Sequence, residues 1–334
     1  MKQLTLLVFV FLCLITEMSG AEDKPPNSAL ESFYNLSLFK HHFGEDDKFG
    51  VTIGYKGWMN TWSLPVPFAD SQPYQQDTTV LFKSETELTS MPTLHLRYKN
   101  VYLIANYFSE TKYTFGRQRI DELYTAPIGL TLGNESLPES SPLSIKQTVE
   151  YVPSAERSEW DISLGYYVNS YLGITVGYKQ INRNYAYEIN KPAINTIDSS
   201  GNIKPLPGGG ARLEHRYSES QGSGTTLGIT GNVPVALDNN LSIYGNFTYG
   251  WLNTEVTNYR VAENITFDKK NSSYDNPYYS GEIGFAYARR FNEITLSTYL
   301  GYRFQRYEFR DFTNSGQTAR DGTDGVILSF SATF

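Results

Sequence analysis

The sequence contains one cysteine in 334 residues, Cys13, and it lies in an N-terminal apolar run. Beyond that run no thiol is left to form a disulfide, hold a metal or act as a nucleophile. Histidine is scarce too: His41, His42, His95 and His215 are the whole supply. No second apolar run of transmembrane-helix length follows the first, so no helical span is expected. Excess charge of one sign is small. Lys and Arg number 28 against 35 Asp and Glu, a net charge of -7, which argues against nucleic acid as a partner.

The N-terminus reads as an address. Lys2 precedes the run "LTLLVFVFLCLI" (4–15), and Ser19 and Ala21 supply the small residues a signal peptidase reads. This predicts a secretory signal peptide over 1–21, cut after Ala21. The run is short for crossing a hydrocarbon core of about 30 Å as a helical anchor. An exported chain that keeps no cysteine fits a bacterial envelope better than an oxidising eukaryotic route. Segment 22–47 would then be a polar periplasmic stretch, with 28–39 able to form one short helix.

What the sequence has in quantity is Tyr (26), Phe (19) and Gly (27), at a mean hydropathy of -0.40. The apolar residues alternate. In 49–62, Phe49, Val51, Ile53 and Tyr55 share one parity, and Thr52, Gly54 and Lys56 the other. The same period of two runs through 93–98, 101–113, 160–168, 171–179, 225–235, 241–251, 278–289, 294–306 and 322–334. A period of two over such lengths is a strand with two unlike faces. Short links at 99–100, 169–170, 236–240 and 290–293 read as hairpin turns. Long links at roughly 63–90, 115–157, 187–222, 256–276 and 310–323 fall between them. The segment upstream of 91 could lengthen the second strand or form an extra hairpin, and 194–206 looks like a hairpin within its loop. We therefore expect an all-β, antiparallel up-and-down transmembrane β-barrel over 48–334, of about ten strands with twelve as the alternative. Aromatics near strand ends, such as Tyr98, Tyr166, Tyr178, Trp251 and Tyr302, suit two interfacial girdles.

The closing stretch "GVILSFSATF" puts Val326, Leu328, Phe330, Ala332 and Phe334 on one face. With its final phenylalanine, it resembles the C-terminal signature of Gram-negative outer-membrane β-barrel proteins. That resemblance implies a location in the bacterial outer membrane, with outer-membrane lipid as solvent. It also implies that Val326, Leu328, Phe330 and Phe334 form the assembly signal, read by the barrel-assembly machinery as a partner. It is specific for location and fold, and silent on activity.

The inner parity of the strands carries His95, Arg97, Glu110, Lys112, Asp161, Lys179, Glu282 and Arg303 as expected lumen-lining polar residues. Ten strands enclose a narrow interior, so charges of both signs there must pair or be costly. They form either a polar plug or the lining of a narrow path for a small solute or ion. No catalytic constellation emerges. The ten-stranded omptin proteases use an acid pair and an Asp-His pair at the rim, and no D-x-D or D-x-H occurs here. His215 reads as a loop histidine. The stretch "KHHFGEDD" (40–47) places His41 and His42 beside carboxylates, but adjacent side chains diverge in an extended chain. We assign no metal, no cofactor and no enzymatic activity. The first functional expectation is a small channel or passive transport barrel. The second is a surface binding or adhesion barrel with a closed lumen, its extracellular ligand held by the loops. The third, a surface hydrolase, ranks last.

Overall fold

The alternation closes into a ring. A computed structural model describes residues 49–67, 79–126, 131–132, 135–136, 143–168, 172–191, 195–197, 203–205, 212–235, 240–262, 265–292, 294–309 and 319–334. The expected signal peptide, the segment 22–47 with His41 and His42, and the turn 236–239 lie outside the described residues. Ten strands form the barrel wall: β1 (Phe49–Pro67), β2 (Glu87–Tyr98), β3 (Val101–Thr114), β4 (Leu143–Tyr167), β5 (Leu172–Lys191), β6 (Arg212–Pro234), β7 (Leu241–Ala262), β8 (Ile265–Phe291), β9 (Ile294–Phe309) and β10 (Ala319–Thr333). Each pairs antiparallel with its sequence neighbours, and β10 pairs with β1. Ten is the strand count expected; the twelve-strand alternative is not what forms. No helix occurs among the described residues.

Closure uses both ends of the wall. The Phe334 N–H donates to the Val51 carbonyl at 2.9 Å, and the Val51 N–H donates back at 3.4 Å. One register step on, the hydroxyls of Thr52 and Thr333 meet at 2.8 Å on the inner face. A closed ring leaves no unpaired edge, which is the requirement for a β-structure in lipid.

Two of the tight turns hold non-glycine residues at positive φ, Lys99 (54°) and Asn292 (56°). Each conformation is uncommon for an L-residue. Each is clamped the same way: Arg97 Nε donates to the Lys99 carbonyl at 2.6 Å, and Arg290 Nε to the Asn292 carbonyl at 2.7 Å.

The opposite end departs from the expectation of long loops. β8 alone runs 27 residues, while about 9–11 tilted residues suffice to span a bilayer. Segment 256–276, expected as a connection, is strand except at 263–264, which lie outside the described residues. Much of 115–157 and 187–222 is strand as well. The strands Thr79–Lys83 and Gln118–Ala126 pair with the tops of β1 and β4. Asn195–Ile197 and Ile203–Pro205 form the hairpin anticipated within 194–206. Toward the turns, the outer face is an exposed apolar belt that includes Ile53, Leu94, Leu164, Ile174, Val176, Leu227, Ile229 and Ile283. Tyr98, Tyr166, Tyr178, Trp251 and Tyr302 stand exposed among these residues.

Candidate functional site

The interior of the barrel is polar and concave, and it is layered. Nearest the turns, Tyr102 and Tyr167 pack at 4.5 Å between ring centroids, His95 lies 5.4 Å from Tyr102, and the Arg97 guanidinium sits 5.2 Å over Tyr167. Gly165 makes room for this cluster. A Cβ there would fall 2.1 Å from the Tyr102 ring, so only glycine lets the tyrosine lie flat against β4.

Above this cluster is a polar cavity of about 180 Å³. Its walls are rich in hydroxyls, among them Thr93, Thr175, Thr230, Ser280, Ser297 and Ser331. Lys56, Asp161, Glu282 and Arg303 also line it. Glu282 is shared: Lys56 Nζ donates to it at 3.3 Å and Arg303 Nη1 at 2.9 Å. Asp161 accepts from Asn106 Nδ2 at 2.7 Å and lies 3.7 Å from Lys179 Nζ.

Higher still, charged side chains cross the lumen. Lys179 Nζ donates to Glu159 Oε2 at 2.5 Å, and Arg157 forms an ion pair with the same carboxylate. Gln305 Nε2 donates to Glu159 at 3.2 Å, while Arg157 donates to Gln305 and Thr323. Arg183 Nη1 donates to Asp321 Oδ2 at 2.8 Å, Tyr185 donates to the same oxygen at 3.1 Å, and Trp62 Nε1 donates to the other oxygen. Arg157, Glu159, Lys179, Arg183, Gln305 and Asp321 are all buried. Cations also sit over aromatic faces: Lys179 4.9 Å from Phe108, Arg183 4.6 Å from Tyr307, Arg303 4.9 Å from Phe108, and Arg157 5.7 Å from both Trp62 and Tyr307. Charges taken out of water in this way are tolerable only when paired and hydrogen-bonded.

An apolar layer caps the charges toward the loop end. Trp62, Leu64, Phe82, Tyr113, Phe115, Tyr151, Ala155 and Tyr185 form one buried cluster. From the turns upward the lumen therefore runs from tyrosine cluster to cavity to ionic plug to aromatic cap.

The structure brings His95, Asp161, Lys179, Glu282 and Arg303 to the cavity wall, and Arg97 to the tyrosine cluster below it. Glu110 and Lys112 do not join them. A bulge between Phe108 and Thr111 shifts the register of β3 against β4 and reverses the parity of everything beyond it. Thr111 and Tyr113 turn inward, and Lys112 points out to pair with Glu156 at 2.9 Å on the exposed face. The sequence reading also left out Arg157, Glu159, Arg183 and Asp321. All four extend the inner parity of strands it had found, so continuing the alternation past each apolar segment was the available signal; Gln305 lies on the inner face of the segment 294–306 itself. His215 is half-buried on β6, opposite Glu188 and Val261. No group of three or more His, Cys, Asp or Glu able to hold a metal occurs among the described residues. Val326, Leu328 and Phe330 lie on the outer parity of β10, and Phe334 follows it, exposed.

No family model matches the sequence, and no curated protein matches it. Solved structures similar in shape include three outer-membrane proteins. The outer membrane protease OmpT from Escherichia coli is 11% identical, with 86% of this chain and 98% of that chain covered and a TM-score of 0.44. The toluene transporter TodX from Pseudomonas putida is 10% identical, with coverage of 86% and 89% and a TM-score of 0.27. A FadL homologue from Pseudomonas aeruginosa is 9% identical, with coverage of 92% and 94% and a TM-score of 0.24. At such identities and scores none of the three carries an argument about what this chain does.

Proposed function

We propose that this chain is a bacterial outer-membrane β-barrel with a closed lumen, working through the part of its wall that rises beyond the bilayer. The exposed apolar belt and the edge-free ring support the location, together with the signal-like N-terminus and the aromatic pattern of Val326, Leu328, Phe330 and Phe334. The buried plug supports the closed lumen. Arg157, Glu159, Lys179, Arg183 and Asp321 are each no more than 4% exposed and bond to one another or to Gln305, Thr323, Tyr185 and Trp62 across the bore. A path for hydrated ions would need those groups in contact with water. The working surface is then the extended β6–β7–β8 wall, whose exposed polar face pairs Asn253 with Asp275 and Thr257 with Asn271 and stacks Tyr217 on Tyr259 at 5.1 Å. Tyr and Asn on a rigid sheet suit an extracellular ligand or partner.

A passive path for a small solute is the second reading. The observation that favours it is the hydroxyl-lined cavity of about 180 Å³ beneath the plug. Single-channel recording of the refolded protein in a planar bilayer separates the two. The closed-lumen reading expects a silent bilayer from protein whose heat-modifiable migration proves it folded. Steady ohmic steps from the same preparation would overturn it in favour of the path.

A further inference from the structure

The cavity below the plug has features a mere packing gap lacks. Its polar walls hold Thr93, Thr175, Thr230, Ser280, Ser297 and Ser331, half-buried or buried, and its volume is about 180 Å³. That is room for several waters or for one small solute. Its roof is not electrically neutral. Among the described residues, the cations Lys56, Arg157, Lys179 and Arg303 interact with the carboxylates of Glu159, Asp161 and Glu282, which leaves one positive charge over. The two cations that divide Glu282 between them are those that line the cavity beside it. Lys56 keeps 20% of its side chain exposed. Arg303, with a side chain 12% exposed, has an Nε–H that meets no acceptor.

An unused donor and a surplus cation at one end, with hydroxyls along the walls, match a solute with an anionic head and a hydroxylated body. We propose that this cavity binds a small polyhydroxylated monocarboxylate, its carboxylate held by Lys56 Nζ and Arg303 Nε and its hydroxyls by the Ser and Thr walls. Arg303 rises from β9 and crosses the lumen to lie 4.9 Å from Phe108 on β3. Asp161, the other carboxylate on that side, is already engaged by Lys179 Nζ at 3.7 Å and Asn106 Nδ2 at 2.7 Å. Entry from the turn end rests on the closed-lumen reading; the binding site itself does not.

The test is titration calorimetry on the refolded chain in detergent, where both ends of the barrel are open to solvent. The probe is gluconate, with glucose and acetate as controls. Gluconate should bind at least tenfold more tightly than either control. Lys56→Met, a change at the partly exposed member of the pair, should weaken gluconate at least tenfold and leave heat-modifiable migration intact. Arg303→Lys keeps the charge but removes the Nε–H, and should weaken gluconate while the plug still forms. Ser280→Ala should weaken gluconate and leave acetate unchanged. Absence of gluconate heat up to millimolar concentration overturns the proposal, as does glucose binding equally well or an unaltered Lys56→Met variant. A conducting barrel that still binds gluconate would sink the closed-lumen reading alone.

Discussion

Arg183 and Asp321 stand 138 positions apart in the chain and meet at 2.8 Å inside the barrel, both all but fully buried. One comes from β5 and the other from the first turn of sequence in β10, so the pair joins opposite regions of the wall. The carboxylate also accepts from Tyr185 and Trp62, which ties the ionic plug to the aromatic cap above it. Removing the carboxylate alone should therefore be worse than removing both charges. Asp321→Leu leaves a buried guanidinium without its counter-charge and should cost about 3–5 kcal/mol. The double change Arg183→Met with Asp321→Leu should recover most of that loss. Denaturant unfolding followed by tryptophan fluorescence measures both. An Asp321→Leu barrel as stable as the parent would show that the pair does not hold the plug.

Gly165 and Tyr102 give a packing test near the turns. A valine at 165 would push its side chain into space the tyrosine ring occupies. Gly165→Val should cost about 1–3 kcal/mol, the usual range for overpacking. Adding Tyr102→Ala to Gly165→Val should return part of it, because the ring is what the new methyls strike. If the second change makes matters worse instead, the contact between β3 and β4 is not what requires glycine at 165.

The β3 bulge makes a prediction the alternation alone would reverse. Cys13 is the only cysteine in the sequence and falls in the expected signal peptide, so single-cysteine variants of the chain from 22 onward give clean labelling. Lys112→Cys should react quickly with a bulky, membrane-impermeant maleimide, since the lysine is 76% exposed. Thr111→Cys should not, because Thr111 is 6% exposed and hydrogen-bonds to Thr89 at 3.0 Å. Fast labelling at 111 with protection at 112 would mean the strand keeps its parity and has no bulge.

These particulars show how far the sequence could be read. The ten strands were legible because each crosses an apolar solvent on one face, and lipid imposes a period of two on hydrophobicity. Where β6, β7 and β8 rise past that belt, both faces of the strand turn polar. The outer face from Asn253 to Tyr259 carries charge and hydroxyls as freely as the inner one, so the period fades and 256–276 reads as loop. Glu110 and Lys112 were misplaced for a different reason. A bulge adds one residue without changing composition, and nothing in "YFSETKY" marks where parity flips. The plug residues were within reach of the same alternation. Glu159 and Arg157 continue the parity of Asp161, and Arg183 that of Lys179. What alternation could not supply is which of them meet, because Arg157 finds Gln305 and Thr323 across the lumen, and that depends on register around the whole ring.

The height of the bilayer on the wall is the last quantity the structure makes measurable. Leu164 is 52% exposed on the outer face of β4, between Val101, Tyr166, Ile174 and Val176. An arginine there has no water to reach without thinning the bilayer, and Leu164→Arg should cost about 2–4 kcal/mol if the position lies near the midplane. Gln221, Asn253 and Asp275 also sit on outer parity, exposed, but well toward the loop end. Asn253→Arg should cost less than about 1 kcal/mol, as at or beyond an interface. Equilibrium refolding into phosphatidylcholine vesicles yields both values. A steep fall in cost between 164 and 253 would place the polar wall outside the lipid, where an extracellular ligand could reach it. An equal penalty at both positions would bury that wall in the bilayer and remove the surface on which the binding reading depends.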